Sequence, residues 1–207
     1  EDAAFLSQLL DSRQAASFRL PFPLPVTLRP YQQDGINWLA FLRRFGLHGV
    51  LADDMGLGKT LQASSIMAAA MHEARQRWAL GGCRPEDAPR PCLVVCPATL
   101  VAHWAHEMVT LVGPGLLRPL QYAGTPGERA AVQALFAKSY PARGGTEPAH
   151  NVVVMSYEHL RQDADWVVAA GPWLYCVLDE GHVIRNPRSR VAQAARRVAA
   201  SHRLILS

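Results

Sequence analysis

The stretch Asp53-Asp54-Met55-Gly56-Leu57-Gly58-Lys59-Thr60 follows a short apolar run and opens a helical pattern. That is the setting a phosphate-binding loop requires. Gly56 and Gly58 let the backbone curl so that its N–H groups converge on phosphate oxygens. A helix N-terminus near Lys59 adds a favourable dipole. Lys59 can reach the β- and γ-phosphates, and the Thr60 hydroxyl can ligate Mg²⁺. Asp54, Met55 and Leu57 complete the loop and count with it as nucleotide-binding residues. The general pattern Gly-x-x-x-x-Gly-Lys-Ser/Thr places glycine where this chain has Asp53. By pattern alone, a Gly-rich turn carrying a surface lysine is the alternative.

A second group lies far along the chain, where the apolar run Leu174–Leu178 ends in Asp179-Glu180-Gly181-His182. Two acids at the carboxyl end of a buried strand stand where parallel sheets bind ligands. Asp179 is then the Mg²⁺ partner and Glu180 the group that orients or deprotonates an attacking water. Taken alone, Asp179 could be a helix N-cap. The phosphate loop upstream makes the catalytic reading the stronger one.

Other reactive side chains point elsewhere. Cys83, Cys92, Cys96 and Cys176 form no Cys-x-x-Cys pair, which signals neither a zinc ribbon nor a redox dithiol. The last three lie in apolar runs and read as buried thiols. His103 and His106 sit three apart on a helical pattern without a third convergent ligand, so they read as structural or surface histidines. Trp38, Leu39, Phe41 and Leu42 form a core stripe, and Trp104 and Trp173 read as core or surface aromatics.

The elements that must position these groups alternate. Strand-like runs fall at Gly49–Ala52, Cys92–Cys96, Leu117–Tyr122, Asn151–Met155, Leu174–Leu178 and Arg203–Ser207. Helical patterns lie between them, at Tyr31–Phe45, Lys59–Trp78, Thr99–Leu111, Pro126–Ser139, Glu158–Ala169 and Ser189–Ser201. This alternation predicts an α/β fold with a mostly parallel sheet covered on both faces. Gly81–Pro91 and Pro141–Pro148 read as exposed loops. Residues 1–27 form a lead-in segment, with a short amphipathic helix around Phe5, Leu6, Leu9 and Leu10 and an extended stretch set by Pro21, Pro23 and Pro25. Residues 28–207 carry the sheet. The chain stops on the apolar run Leu204-Ile205-Leu206-Ser207, which reads as a piece cut from something longer.

The 207 residues are 49% hydrophobic and 18% charged, enough apolar surface for a sizeable core and too little charge for a disordered tail. A net charge of +4 permits a nucleic-acid partner without demanding one. No apolar stretch is long enough for a transmembrane helix, and Glu1-Asp2-Ala3-Ala4-Phe5 lacks the regions of a signal peptide.

Several segments together resemble the SWI/SNF type of superfamily-two helicase-like ATPases. They are the phosphate loop, the Asp-Glu-Gly-His box, Leu28-Arg29-Pro30-Tyr31-Gln32-Gln33-Asp34-Gly35, Cys96-Pro97-Ala98-Thr99-Leu100 followed by Trp104, and Met155-Ser156-Tyr157-Glu158. Loops lacking the first glycine are normal in that family. Within it, the chain looks most like the branch that strips TATA-binding protein from DNA. The stretches that carry this are Phe5–Asp11, Leu28–Leu42, Leu47-His48-Gly49, Val95–Pro97 with His103-Trp104, and Asp-Glu-Gly-His itself.

The resemblance implies the first RecA-like P-loop lobe of a DNA-dependent ATPase and duplex-DNA translocase, stopping before a Gly-Thr-Pro motif. It implies ATP and Mg²⁺ as cofactors, with Gln32 reading the adenine edge and His182 joining the nucleotide site. A second lobe in cis would supply an arginine finger, so these residues alone would bind Mg·ATP weakly and barely turn it over. Duplex DNA would run past Pro97, Thr99, Leu100, Ser156 and Tyr157, although Thr99 could equally be a helix cap. Arg185 and Arg188 could extend the basic surface but read better as solvated. TATA-binding protein would engage other parts of a nuclear, non-membrane parent protein that regulates transcription. The competing readings are a lobe of a nucleosome remodeler or DNA-repair translocase, a non-hydrolysing nucleotide-gated binding module, and a small-molecule P-loop kinase.

Overall fold

A computed structural model describes residues 17–54, 56–81, 88–139 and 149–207. The expected helix around Phe5–Leu10, Met55, Cys83 and the Pro141–Pro148 loop lie outside the described residues, as does most of the Gly81–Pro91 loop.

After an extended lead-in, the elements run α1 (Pro30–Arg44), β1 (Gly49–Leu51), α2 (Lys59–Ala79), β2 (Cys92–Cys96), α3 (Val101–Val112), β3 (Pro119–Tyr122), α4 (Pro126–Ser139), β4 (Val152–Ser156), α5 (Tyr157–Gln162), α6 (Ala164–Ala170), β5 (Trp173–Leu178), α7 (Arg190–Arg197) and β6 (Ala200–Leu206). Short 3-10 turns at Ala98–Leu100 and Gly181–Ile184 follow β2 and β5. Among the described residues six strands form one sheet in the order β1-β6-β5-β2-β4-β3. Every pairing is parallel.

The central strands β2, β4 and β5 are almost wholly apolar because both of their faces are covered. Cys92, Val94 and Cys96 of β2 pack into one core with Val152 and Val154 of β4, under α1, α2 and α3. Leu93 and Val95 pack into the other core with Val153 and Met155, under α4 to α7. The period of two along each strand decides which core a side chain joins. Helix α2 runs between α1, α3 and the sheet. Its Ala63 and its run Ile66–Met71 are buried, as an all-round buried helix requires.

Two expected stretches depart from the structure by more than two residues. The run Glu158–Ala169 is two helices, broken at Asp163. The Asp163 carboxylate accepts from Arg129 Nε at 2.7 Å and from the Tyr122 hydroxyl at 2.9 Å, and holding these two donors turns the chain there. The last helix ends at Arg197 rather than Ser201, and Ala200 begins β6 opposite Trp173. Alanine favours helix intrinsically, but the ladder to β5 outweighs that preference.

Candidate active site

The phosphate loop leaves β1 and feeds directly into α2. Gly56 and Gly58 have φ of 81° and 80°, a left-handed backbone that glycine adopts without penalty. Gly58 is also crowded, since a Cβ there would lie 2.5 Å from Gln32 Nε2. Lys59 is the first residue of α2 and Thr60 the second, so the first backbone N–H groups of the helix and the Thr60 hydroxyl lie in one turn. The Lys59 ammonium donates to the carbonyl of Asp53 at 2.6 Å and to that of Asp54 at 3.2 Å. Asp53 accepts from Gln62 Nε2 at 3.2 Å, which gives the residue at the missing-glycine position a task of its own. Asp54, Gly56, Leu57 and Thr60 remain at least partly exposed.

Gln32 does not present its amide to an open site. It is 8% exposed. Its Oε1 accepts from Arg29 N at 3.0 Å, and its Nε2 donates to the Leu57 carbonyl at 3.2 Å. It therefore caps α1 and ties that helix to the phosphate loop. Reading a base edge would require exchanging the bond to Leu57 for one to the base.

The acidic box leaves β5, two strands across the sheet from β1, with β6 between them. At the usual strand spacing the two loops stand roughly 10 Å apart on the carboxyl edge. Asp179 Oδ1 accepts from Glu180 N at 2.9 Å and Oδ2 from Trp104 Nε1 at 2.8 Å. The Tyr157 hydroxyl donates to the Asp179 carbonyl at 2.6 Å. A carboxylate offers about four lone-pair sites, so Asp179 keeps acceptor capacity for a cation. Glu180 has φ of 53°, a left-handed backbone costly for a residue with a Cβ. Its Oε2 lies 3.2 Å from His182 Nδ1. Gly181 fits because a Cβ there would sit 2.3 Å from Ile205 Cγ2.

Burial and the charge of Asp179 push the Cys96 thiol, at the end of β2, up to about 12. Burial, with Asp179 next in importance, raises the Tyr157 phenol well above its ordinary range. It therefore stays protonated, as its donor role needs.

The expected DNA-facing residues divide. Thr99 is exposed on the turn after β2, and Pro97 and Leu100 beside it are partly exposed. Ser156 and Tyr157 are buried. The Ser156 hydroxyl accepts from His159 N at 3.1 Å and caps α5, while Tyr157 reaches Asp179. Neither side chain is free to take an outside phosphate. Arg185 and Arg188 are exposed. His103 faces Glu107 at 3.3 Å, one turn along α3. A cavity of about 460 Å³, lined in part by Phe18, Asn37, Arg43, Glu73 and His202, lies toward the amino ends of β5 and β6 and holds none of these groups.

The sequence reading gave Trp104 only as a core or surface aromatic and missed its bond to Asp179. Its indole N–H was readable as a clue, since a buried tryptophan needs an acceptor, but the partner lies 75 positions away.

A family model described as SNF2-related domain matches residues 31–207. The chain belongs to the SNF2-related family. It is 45% identical over all of its length to the TATA-binding protein-associated factor BTAF1 of Arabidopsis thaliana, of which it covers 9%. It is 42% identical over 98% of its length to the human TATA-binding protein-associated factor 172, of which it covers 10%. It thus spans about a tenth of these relatives. Among solved structures it is similar to the Sulfolobus solfataricus SWI2/SNF2 ATPase core in complex with dsDNA, with a TM-score of 0.67 and 26% identity over 92% of this chain and 34% of that one. The sheet is thus the parallel α/β architecture of an SNF2-type ATPase core, with the Gly56–Gly58 loop at its carboxyl edge.

Proposed function

We propose that this chain is the first RecA-like lobe of a DNA-dependent ATPase that moves along duplex DNA and removes TATA-binding protein from it. The observation that carries the reading is the placement of Asp179 and Glu180 at the end of β5, across β6 from Lys59 and Thr60 at the start of α2. The names of the relatives support the choice of substrate.

In this reading the phosphates of ATP replace the Asp53 and Asp54 carbonyls as partners of the Lys59 ammonium. The first amides of α2 donate to the same oxygens. Thr60 and Asp179 would hold Mg²⁺, and their hydroxyl and carboxylate oxygens are the hard donors that ion takes. When bound, the ion neutralises charge on the β- and γ-phosphates. Glu180 accepts a proton from the attacking water, with His182 beside its carboxylate. A second lobe in cis completes the charge stabilisation with an arginine, worth on the order of 10³–10⁵ in rate. Duplex DNA lies against Pro97, Thr99, Leu100 and the backbone of Ser156–Tyr157, held through phosphates and without sequence preference. TATA-binding protein is engaged by other parts of a nuclear parent protein.

The test uses the full-length protein. ATP turnover is measured with and without duplex DNA, and release of TATA-binding protein from a promoter duplex is followed in parallel. DNA-stimulated turnover with ATP-dependent release supports the reading. Stimulated turnover without release transfers the lobe to a remodeler or repair translocase. Nucleotide binding without turnover makes it a nucleotide-gated module.

A further inference from the structure

We propose that Trp104 and Tyr157 are positioning residues that couple the turn after β2 and the junction of β4 with α5 to Asp179, so that occupancy of these two places by duplex DNA sets the geometry of the acidic box. The inference rests on the reading that both face DNA.

Two elements that do not carry the acids both end on Asp179. Trp104 lies one turn beyond the Ala98–Leu100 segment, of which Ala98 and Thr99 are exposed. It is 1% exposed, and its indole N–H is bonded to the carboxylate at 2.8 Å. Tyr157 directly follows the cap of α5, is 6% exposed, and its hydroxyl holds the Asp179 carbonyl at 2.6 Å. One donor fixes the side chain. The other fixes the peptide that leads into Glu180, whose φ of 53° depends on how that peptide is oriented. Each ring is packed in core, where a side chain cannot slide without opening a void. A displacement at either place therefore passes to the acid through a rigid ring and one directional hydrogen bond. The trigger for hydrolysis is then divided: the phosphate loop senses nucleotide, while Trp104 and Tyr157 report on the DNA side.

The test compares wild-type full-length protein with Trp104→Phe and Tyr157→Phe, each of which keeps an aromatic ring and loses the donor. The readout is the ratio of ATP kcat with saturating duplex DNA to kcat without it, alongside KM for ATP and the thermal midpoint. The expected result is a fall in that ratio of at least about five-fold, the lower end of typical coupling between sites, borne by kcat rather than KM. A ratio equal to that of wild type, even with both rates lowered, overturns the inference and leaves the proposed function standing. A wild-type protein that DNA does not stimulate overturns both. Tyr157→Phe removes a single oxygen atom, so the test stands on it alone if Trp104→Phe does not fold.

Discussion

The phosphate loop and the acidic box occupy the same edge of one sheet, yet they are held in opposite ways. The loop is glycine-rich, partly exposed, and keeps its lysine on two of its own carbonyls. On the proposed reading those bonds are exchanged for phosphate oxygens. The acidic box is clamped from three directions, by Trp104, by Tyr157 and by the Glu180 amide. On the proposed reading, one half of the site is remade by its ligand and the other is right in advance. This is the division expected where binding and chemistry fall to different groups, since catalytic groups gain most from preorganisation.

The largest effects should separate the two halves. Glu180→Gln is expected to lower DNA-stimulated turnover by about 10²–10⁴ while nucleotide affinity stays near wild type. Lys59→Ala should weaken nucleotide binding by roughly 10- to 100-fold, the loss of a hydrogen bond to a charged group. Steady-state turnover and equilibrium titration with a fluorescent ATP analogue read both. Equal loss of affinity in the two variants would break the comparison.

The rigidity of the acidic box has its own probe in Cys96. With its thiol pushed up to about 12 by burial and by Asp179, its thiolate is scarce at pH 8, and alkylation should run about 10³ times slower than at a free thiol. Reactivity should climb only as pH approaches the raised value. Cys92 and Cys176, both raised to about 12 by burial, are internal controls in a peptide-resolved iodoacetamide experiment. Labelling of Cys96 well ahead of these two would show that the box opens.

Smaller effects test the two glycines that shape each half. Gly181→Ala drives a methyl into Ile205 and should cost about 1–3 kcal/mol in denaturant unfolding, as overpacking does. Gly58→Ala must hold a φ of 80° and should cost about 1–2 kcal/mol, accompanied by weaker nucleotide binding as Gln32 is pushed off the loop. If Gly58→Ala proves the more damaging to stability, the loop is stiffer than its bonds suggest.

Much of this was legible in the chain itself. Both chemical motifs are contiguous in sequence, so neither needs folding to be recognised. The apolar runs between turn residues located the strands, most plainly β2, β4 and β5, because a strand buried on both faces leaves a continuous apolar signature. Boundaries failed where a long-range partner outweighed local preference, at Asp163 with Arg129 and Tyr122, and at Ala200, recruited by Trp173.

What the sequence determined by itself is therefore the set of reactive groups, the alternation of helix and strand, and the family they belong to. Tertiary structure alone decided which groups meet. It placed the acids two strands from the lysine, and it gave the Gln32 amide to Arg29 and Leu57. It also turned Tyr157 inward and made Trp104 a partner of Asp179. Local spacing follows from short-range sterics that each residue carries with it. The meeting of Trp104 and Asp179 depends on the order of strands and the packing of α3 on the sheet, which only the whole chain settles.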